Sequence, residues 1–183
     1  MSTWSGFFAG CLLLGTGLSA VAADEIDIRF QGTVVDAPCV IAPESVDMTV
    51  DLGNMDESRL SFQKHSNPAV IRIDLTSCVL QGMGAGGGDI SKVSVEFDST
   101  AVVSGNANIL ANTDSSGAVN VGVQLLTTDD EAINLGESLP VDLQVTSSEQ
   151  TLVFHAWMVP ADPKNAMSPG HVSANTSYVL NYL

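Results

Sequence analysis

The 183 residues carry 21 Asp and Glu against 6 Lys and Arg, a formal net charge of −15 at pH 7. A chain this acidic excludes nucleic acid and anionic lipid surfaces as partners, and its copies repel one another at long range, so any assembly has to be driven by short-range burial. The length fits one domain, or one domain behind a leader.

The segment FFAGCLLLGTGLSAVA, residues 7 to 22, is apolar and rich in small residues. It ends in Ala20-Val21-Ala22-Ala23, which offers a signal-peptidase site after Ala22 or after Ala23. Residues 1–22 therefore read as a secretory signal peptide, with one departure: MSTWSG ahead of the apolar run has no Lys or Arg. The run is too short and too broken by glycine for stable membrane insertion. Its removal leaves about 160 residues, enough for a sizeable core. Residues 1–22 contain no charged side chain, so the whole net charge stays on the mature chain.

Cys11 lies inside the leader, which leaves Cys39 and Cys78. In an oxidising compartment an even pair implies one disulfide. It closes a loop of about 40 residues, which the chain-entropy model values at roughly 4 kcal/mol. A reduced metal pair has no His or further Cys at ligand spacing.

The mature chain opens with DEIDIRFQGTVV, residues 24 to 35. Ile26, Ile28, Phe30, Gly32 and Val34 fall on one face of an extended strand, and Asp27, Arg29, Gln31 and Thr33 on the other. Such a strand needs a sheet to receive its apolar row. Residues 23–35 thus form an N-terminal extension that runs into the first strand of a domain at 36–183.

Beyond it, alternating runs predict strands at Val46 to Leu52, Val70 to Leu75, Lys92 to Phe97, Val119 to Leu125 and Leu152 to Met158, with Tyr178, Leu180 and Tyr182 closing the chain. No stretch shows a 3.6-residue apolar period. Seven or more strands at this spacing predict an antiparallel β-sandwich. The glycine-dense stretch Gln81 to Asp89 lacks the strand, helix N-terminus and Lys of a phosphate cradle, and reads as a surface loop. Thr127 to Glu131 reads as a hairpin turn, and Pro160 to Gly170 as a connection with little regular structure.

Nothing in the sequence asks for catalysis. The three histidines, His65, His155 and His171, sit in no H-E-x-x-H pair, and no G-x-S-x-G elbow is present. The carboxylates scatter among turns and outer strand faces, where solvation accounts for them. No catalytic, cofactor-binding or metal-binding residue is assigned, and no cofactor is expected.

In order, the chain shows the alternating extension leading into Gly32-Thr33-Val34-Val35, then Cys39, Ile71-x-Ile73-x-Leu75-x-x-Cys78, Asn120-Val121-Gly122-Val123-Gln124-Leu125, Phe154-x-Ala156, Gly170 and the penultimate Tyr182. This pattern resembles the chaperone-usher fimbrial subunits, similar to the pilins of type 1 fimbriae, over essentially all of residues 24 to 183. The resemblance implies an all-β, incomplete immunoglobulin-like sandwich that lacks its final strand. It implies that a periplasmic chaperone first fills the resulting groove. At the outer-membrane usher, the N-terminal extension of a neighbouring subunit then replaces the chaperone, the donor-strand mode of strand addition. In that scheme Ile26, Ile28, Phe30, Gly32 and Val34 form the donor row. Gly170, Tyr178, Leu180 and Tyr182 belong to the C-terminal groove and chaperone-binding strand, and the protein ends in a fimbrium on the bacterial surface. The extension is similar to those of minor tip-adaptor subunits, while the length suits the major shaft subunit equally well. From a different class, a self-complete monomeric extracytoplasmic carbohydrate-binding module remains open on the residues alone; in it, residues 24 to 35 pair within their own chain.

Overall fold

The protein is described here by a computed structural model over residues 37–183. The signal peptide expected at 1–22 and the donor row expected at Ile26, Ile28, Phe30, Gly32 and Val34 lie outside the described residues. Among those that are described, no helix is long and apolar enough to cross a membrane.

Among the described residues are nine strands and two short helices: β1 Val40–Ile41, α1 Pro43–Val46, α2 Glu57–Gln63, β2 Ala69–Thr76, β3 Lys92–Asp98, β4 Val102–Val103, β5 Asn106–Ala111, β6 Val121–Leu126, β7 Ser138–Asp142, β8 Gln150–Pro160 and β9 Ser177–Tyr182. They form a six-stranded sheet in the order β1-β2-β8-β6-β5-β4 and a three-stranded sheet in the order β7-β3-β9, all pairs antiparallel.

Period-two sequence decides which side chains meet between the sheets. In the β2–β8 ladder Ile71 faces Phe154 and Ile73 faces Leu152. These four are buried, whereas the intervening Arg72–Val153 and Asp74–Thr151 pairs lie on the outer face, where the Thr151 hydroxyl donates to Asp74 at 2.6 Å. From the other sheet β3 contributes Val93, Val95 and Phe97, and the Phe97 ring meets Phe154 edge-on at 5.0 Å. Burial of each such side chain contributes roughly 1.5–3 kcal/mol. Pro140 sits in β7, at the edge of its sheet, where a missing N–H costs no ladder bond.

The disulfide expected from composition joins Cys39 to Cys78 and ties the start of β1 to the end of β2. The predicted strands at 70–75, 92–97, 119–125, 152–158 and the C-terminus correspond to β2, β3, β6, β8 and β9, although Val119 makes only an isolated bridge to Ser168. Thr127 to Glu131 is a turn closed by the Thr127 N–H on the Glu131 carbonyl, and Gln81 to Asp89 is a loop with one 3-10 turn at Ala85–Gly87.

Two expectations fail. Val46 to Leu52 is not a strand: Val46 ends α1 and is exposed, and no backbone hydrogen bond joins residues 48 to 52 to another described residue. The alternation is nevertheless real, because Met48, Val50 and Leu52 pack against the core while Thr49 and Asp51 face outward. The apolar row is satisfied, and a ladder partner is what the segment lacks. The second miss is helical. In α2, Leu60 alone is buried, and a seven-residue helix with one inward side chain leaves no period to detect.

Candidate functional site

The two sheets part along one side, leaving a cleft of about 1310 Å³. Its floor is apolar and comes from both sheets: Ile71 and Ile73 of β2, Phe97 of β3, Val123 and Leu125 of β6, and Met158 of β8 all line it. One rim is the segment that follows α1, residues 47 to 56, in which residues 48 to 52 have no backbone hydrogen-bond partner among the described residues. The other runs from Met167 through Gly170 and His171 to Tyr178, at the start of β9.

β9 pairs with β3 alone among the described residues, so its second edge is free as well. A cleft with an apolar floor, bordered by one segment without a ladder and by the free edge of β9 among the described residues, has the form of a missing strand, since a strand laid in it meets side chains below and hydrogen-bonding groups on both sides.

The ends of the cleft are built by specific contacts. At one end the Tyr178 hydroxyl donates to the backbone carbonyl of Ser45. Ser45 is buried and held in place, its Oγ accepting the Asp74 N–H at 2.9 Å. At the other end Leu60 of α2 packs with Ala118, Val121 and Met158. The helix is anchored there by the next residues: the Ser66 N–H donates to the Met158 carbonyl, the Met158 N–H donates to Ser66 Oγ, and His65 stacks on Trp157 with ring centroids 4.2 Å apart.

The rim at Gly170 is set by a close backbone approach. A Cβ there would stand 2.4 Å from the Ala118 nitrogen and 2.5 Å from the Gly117 carbonyl carbon. The Ala118 N–H and the Asn112 side-chain amide both donate to the His171 carbonyl, which fastens this rim to the turn before β6. Only glycine fits between them without a shift.

The C-terminal residues expected at the groove divide into two sets. Gly170 and Tyr178 line the cleft. Leu180 and Tyr182 point inward from β9 and pack half-buried against the main core, and neither is among the lining residues. Burial raises the ionisation of both Tyr178 and Tyr182 above the ordinary phenol range. Ser45 and Leu60 carry no sequence signal, and Asn120, present in the sequence reading only as part of the family pattern, has a structural role that the pattern does not state. Asn120 holds a left-handed backbone, φ 58°, and its side chain accepts the Asp162 N–H and donates to the Asp162 and Asn165 carbonyls. An Asn just before an apolar strand was the available signal.

The histidines make structural contacts. His155 Nδ1 lies 2.8 Å from the Asp130 carboxylate on the outer face of β8. Among the described residues no group of three His, Cys, Asp or Glu is placed to hold a metal ion.

Comparison with known proteins accords with this architecture. The fimbrial protein family matches residues 28–183. An uncharacterised fimbrial-like protein of Escherichia coli K12, YbgD, is 43% identical over 165 residues, covering 88% of each chain. The type-1 fimbrial protein A chain of the same strain is 32% identical over 162 residues, 85% of this chain and 82% of its own. Among solved structures, a chain from a chaperone-usher pilus superposes with a TM-score of 0.68 at 22% identity, covering 91% of this chain and all of its own. The P pilus rod subunit PapA gives 0.66 at 21% identity, covering 80% and 100%. At those identities the structures speak to the fold, an immunoglobulin-like sandwich short of one strand, and the sequence matches speak to kinship: this chain belongs to the fimbrial protein family.

Proposed function

We propose that the cleft is the acceptor groove of a fimbrial subunit, filled in trans by the extended N-terminal segment of another subunit. As a family member the chain is a structural subunit of surface fimbriae rather than an enzyme, and it works in contact with neighbouring pilin subunits. The finer reading is that a periplasmic chaperone occupies the groove first and an outer-membrane usher presides over the exchange. Residues 23–35 are then the segment this chain donates, and a signal peptide at 1–22 directs it to the periplasm.

One observation carries the reading: an apolar cleft of about 1310 Å³ whose two rims, residues 47 to 56 and the start of β9, have no strand between them among the described residues. A self-complete binding module closes such a gap with its own strand. The proposed donor supplies Ile26, Ile28, Phe30 and Val34. Buried at roughly 1.5–3 kcal/mol each, they contribute about 6–12 kcal/mol before ordering costs. Gly32 fits a point of close backbone approach. On the acceptor side Gly170 and Tyr178 shape the groove, while Leu180 and Tyr182 hold β9 in place beside it.

Deleting residues 24–31 tests this. The expected product is a folded, chaperone-bound subunit that is absent from polymer because it cannot donate. A deletion variant that loses its own fold places the extension in its own sheet and overturns donation in trans.

A further inference from the structure

The charge on the cleft's two rims is lopsided. The lining residues include the carboxylates Asp47, Asp51 and Asp56 on the rim that follows α1 and Glu57 at the start of α2, all exposed, and they include no Lys or Arg. The opposite rim, Met167 to Tyr178, has no charged residue apart from His171, which is charged only when protonated. A strand seated between them lays its outward-facing side chains beside four carboxylates.

This chain's own extension is poorly matched to that rim. Residues 24 to 35 carry Asp24, Glu25 and Asp27 against Arg29 alone, and the alternation that sends Ile26, Ile28 and Phe30 inward sends Asp27 and Arg29 outward. Resting on the groove reading above, we infer that the preferred occupant is not a second copy of this chain. It is an extension from a different polypeptide with the same alternating apolar row and a cationic outward row. The apolar floor supplies affinity, and the acidic rim supplies choice of partner. A subunit built this way favours a neighbour of another kind over a homopolymer.

The test uses the full chain and two labelled synthetic peptides: residues 24–35 as they stand, and the same peptide with Asp27→Lys, which leaves the inward row unchanged. At low ionic strength the Asp27→Lys peptide is expected to bind about tenfold more tightly. The gap closes toward 1 M salt, where screening acts within about 3 Å. In the double variant Asp47→Asn/Asp56→Asn the preference at low salt shrinks while the affinity of the unaltered peptide rises. Equal affinities at low salt, or tighter binding of the unaltered peptide, overturn the charge inference and leave the groove standing. Failure of both peptides to bind overturns the groove and this inference together.

Discussion

The Tyr178 hydroxyl donates to the backbone carbonyl of Ser45, joining β9 to the short helix that begins the opposite rim. Both residues line the cleft, so this one hydrogen bond spans it at one end. Each partner is held from behind. Tyr178 faces Phe97 in the β3–β9 ladder, and Ser45 is pinned through Oγ to the Asp74 N–H of β2. The rims are thereby kept at a fixed separation where they have no ladder to set it.

Tyr178→Phe removes that bond and keeps the ring. The expected loss is about 0.5–1.5 kcal/mol, read as a lower urea midpoint with an unchanged slope. Burial of Tyr178, together with Tyr182, gives a pH dependence. Burial raises the phenol ionisation of Tyr178 and Tyr182 in the folded chain, so the folded state holds these protons more tightly than the unfolded state does. Their contribution is complete below the unfolded value of about 10 and is lost as pH rises through the higher folded value. Urea midpoints should fall above about pH 10, and the Tyr178→Phe/Tyr182→Phe variant should show a flatter decline. An identical decline in that variant assigns the alkaline loss to other groups.

Gly170→Ala places a methyl within 2.4 Å of the Ala118 nitrogen, where backbone on both sides blocks relaxation. Overpacking of this kind costs about 1–3 kcal/mol. The expected outcome is a destabilised chain with weaker strand binding, because the displaced backbone is itself the rim. Unchanged stability and affinity show that the loop shifts freely and that no constraint resides in this glycine.

The strands carried by β-branched alternation were legible in the sequence, and so was the pairing of Cys39 with Cys78, since these are the two cysteines outside the expected leader. Residues 46 to 52 show the limit. Their period-two pattern is correct and their apolar side chains do face the core, but a strand is defined by its neighbour, and none of the described residues provides one. Ser45 and Leu60 escaped for a different reason. Each acts through long-range contacts alone, to β2 and β9 for Ser45 and to Ala118, β6 and β8 for Leu60, and no local pattern encodes such contacts. Gly170 was singled out as part of the C-terminal strand, yet its role lies in the loop ahead of β9, against Gly117.

Full thiol protection is expected from the Cys39–Cys78 disulfide. Labelling of the denatured, unreduced mature chain should give no signal. Replacing both cysteines with Ala should cost roughly 2–5 kcal/mol by freeing the start of β1 from the end of β2. Two reactive thiols in the oxidised protein contradict the bond.

Leu60→Ala empties the plug at the α2 end of the cleft. A buried Leu truncated to Ala costs about 2–5 kcal/mol, at the lower end where the site collapses, as a short helix permits. Circular dichroism should show the β-sheet signal intact at low temperature while the thermal midpoint drops. A midpoint unchanged within error means the helix does not contribute to closing that end.

The account stands or falls on strand addition, and backbone hydrogen exchange on the full chain with the 24–35 peptide measures it directly. Binding should slow exchange along residues 48 to 52 and along the free edge of β9, the two rims that lack a ladder among the described residues, and leave the outer strands β4 and β7 unchanged. Peptide bound at saturation with no protection at either rim would show that the cleft does not accept a strand.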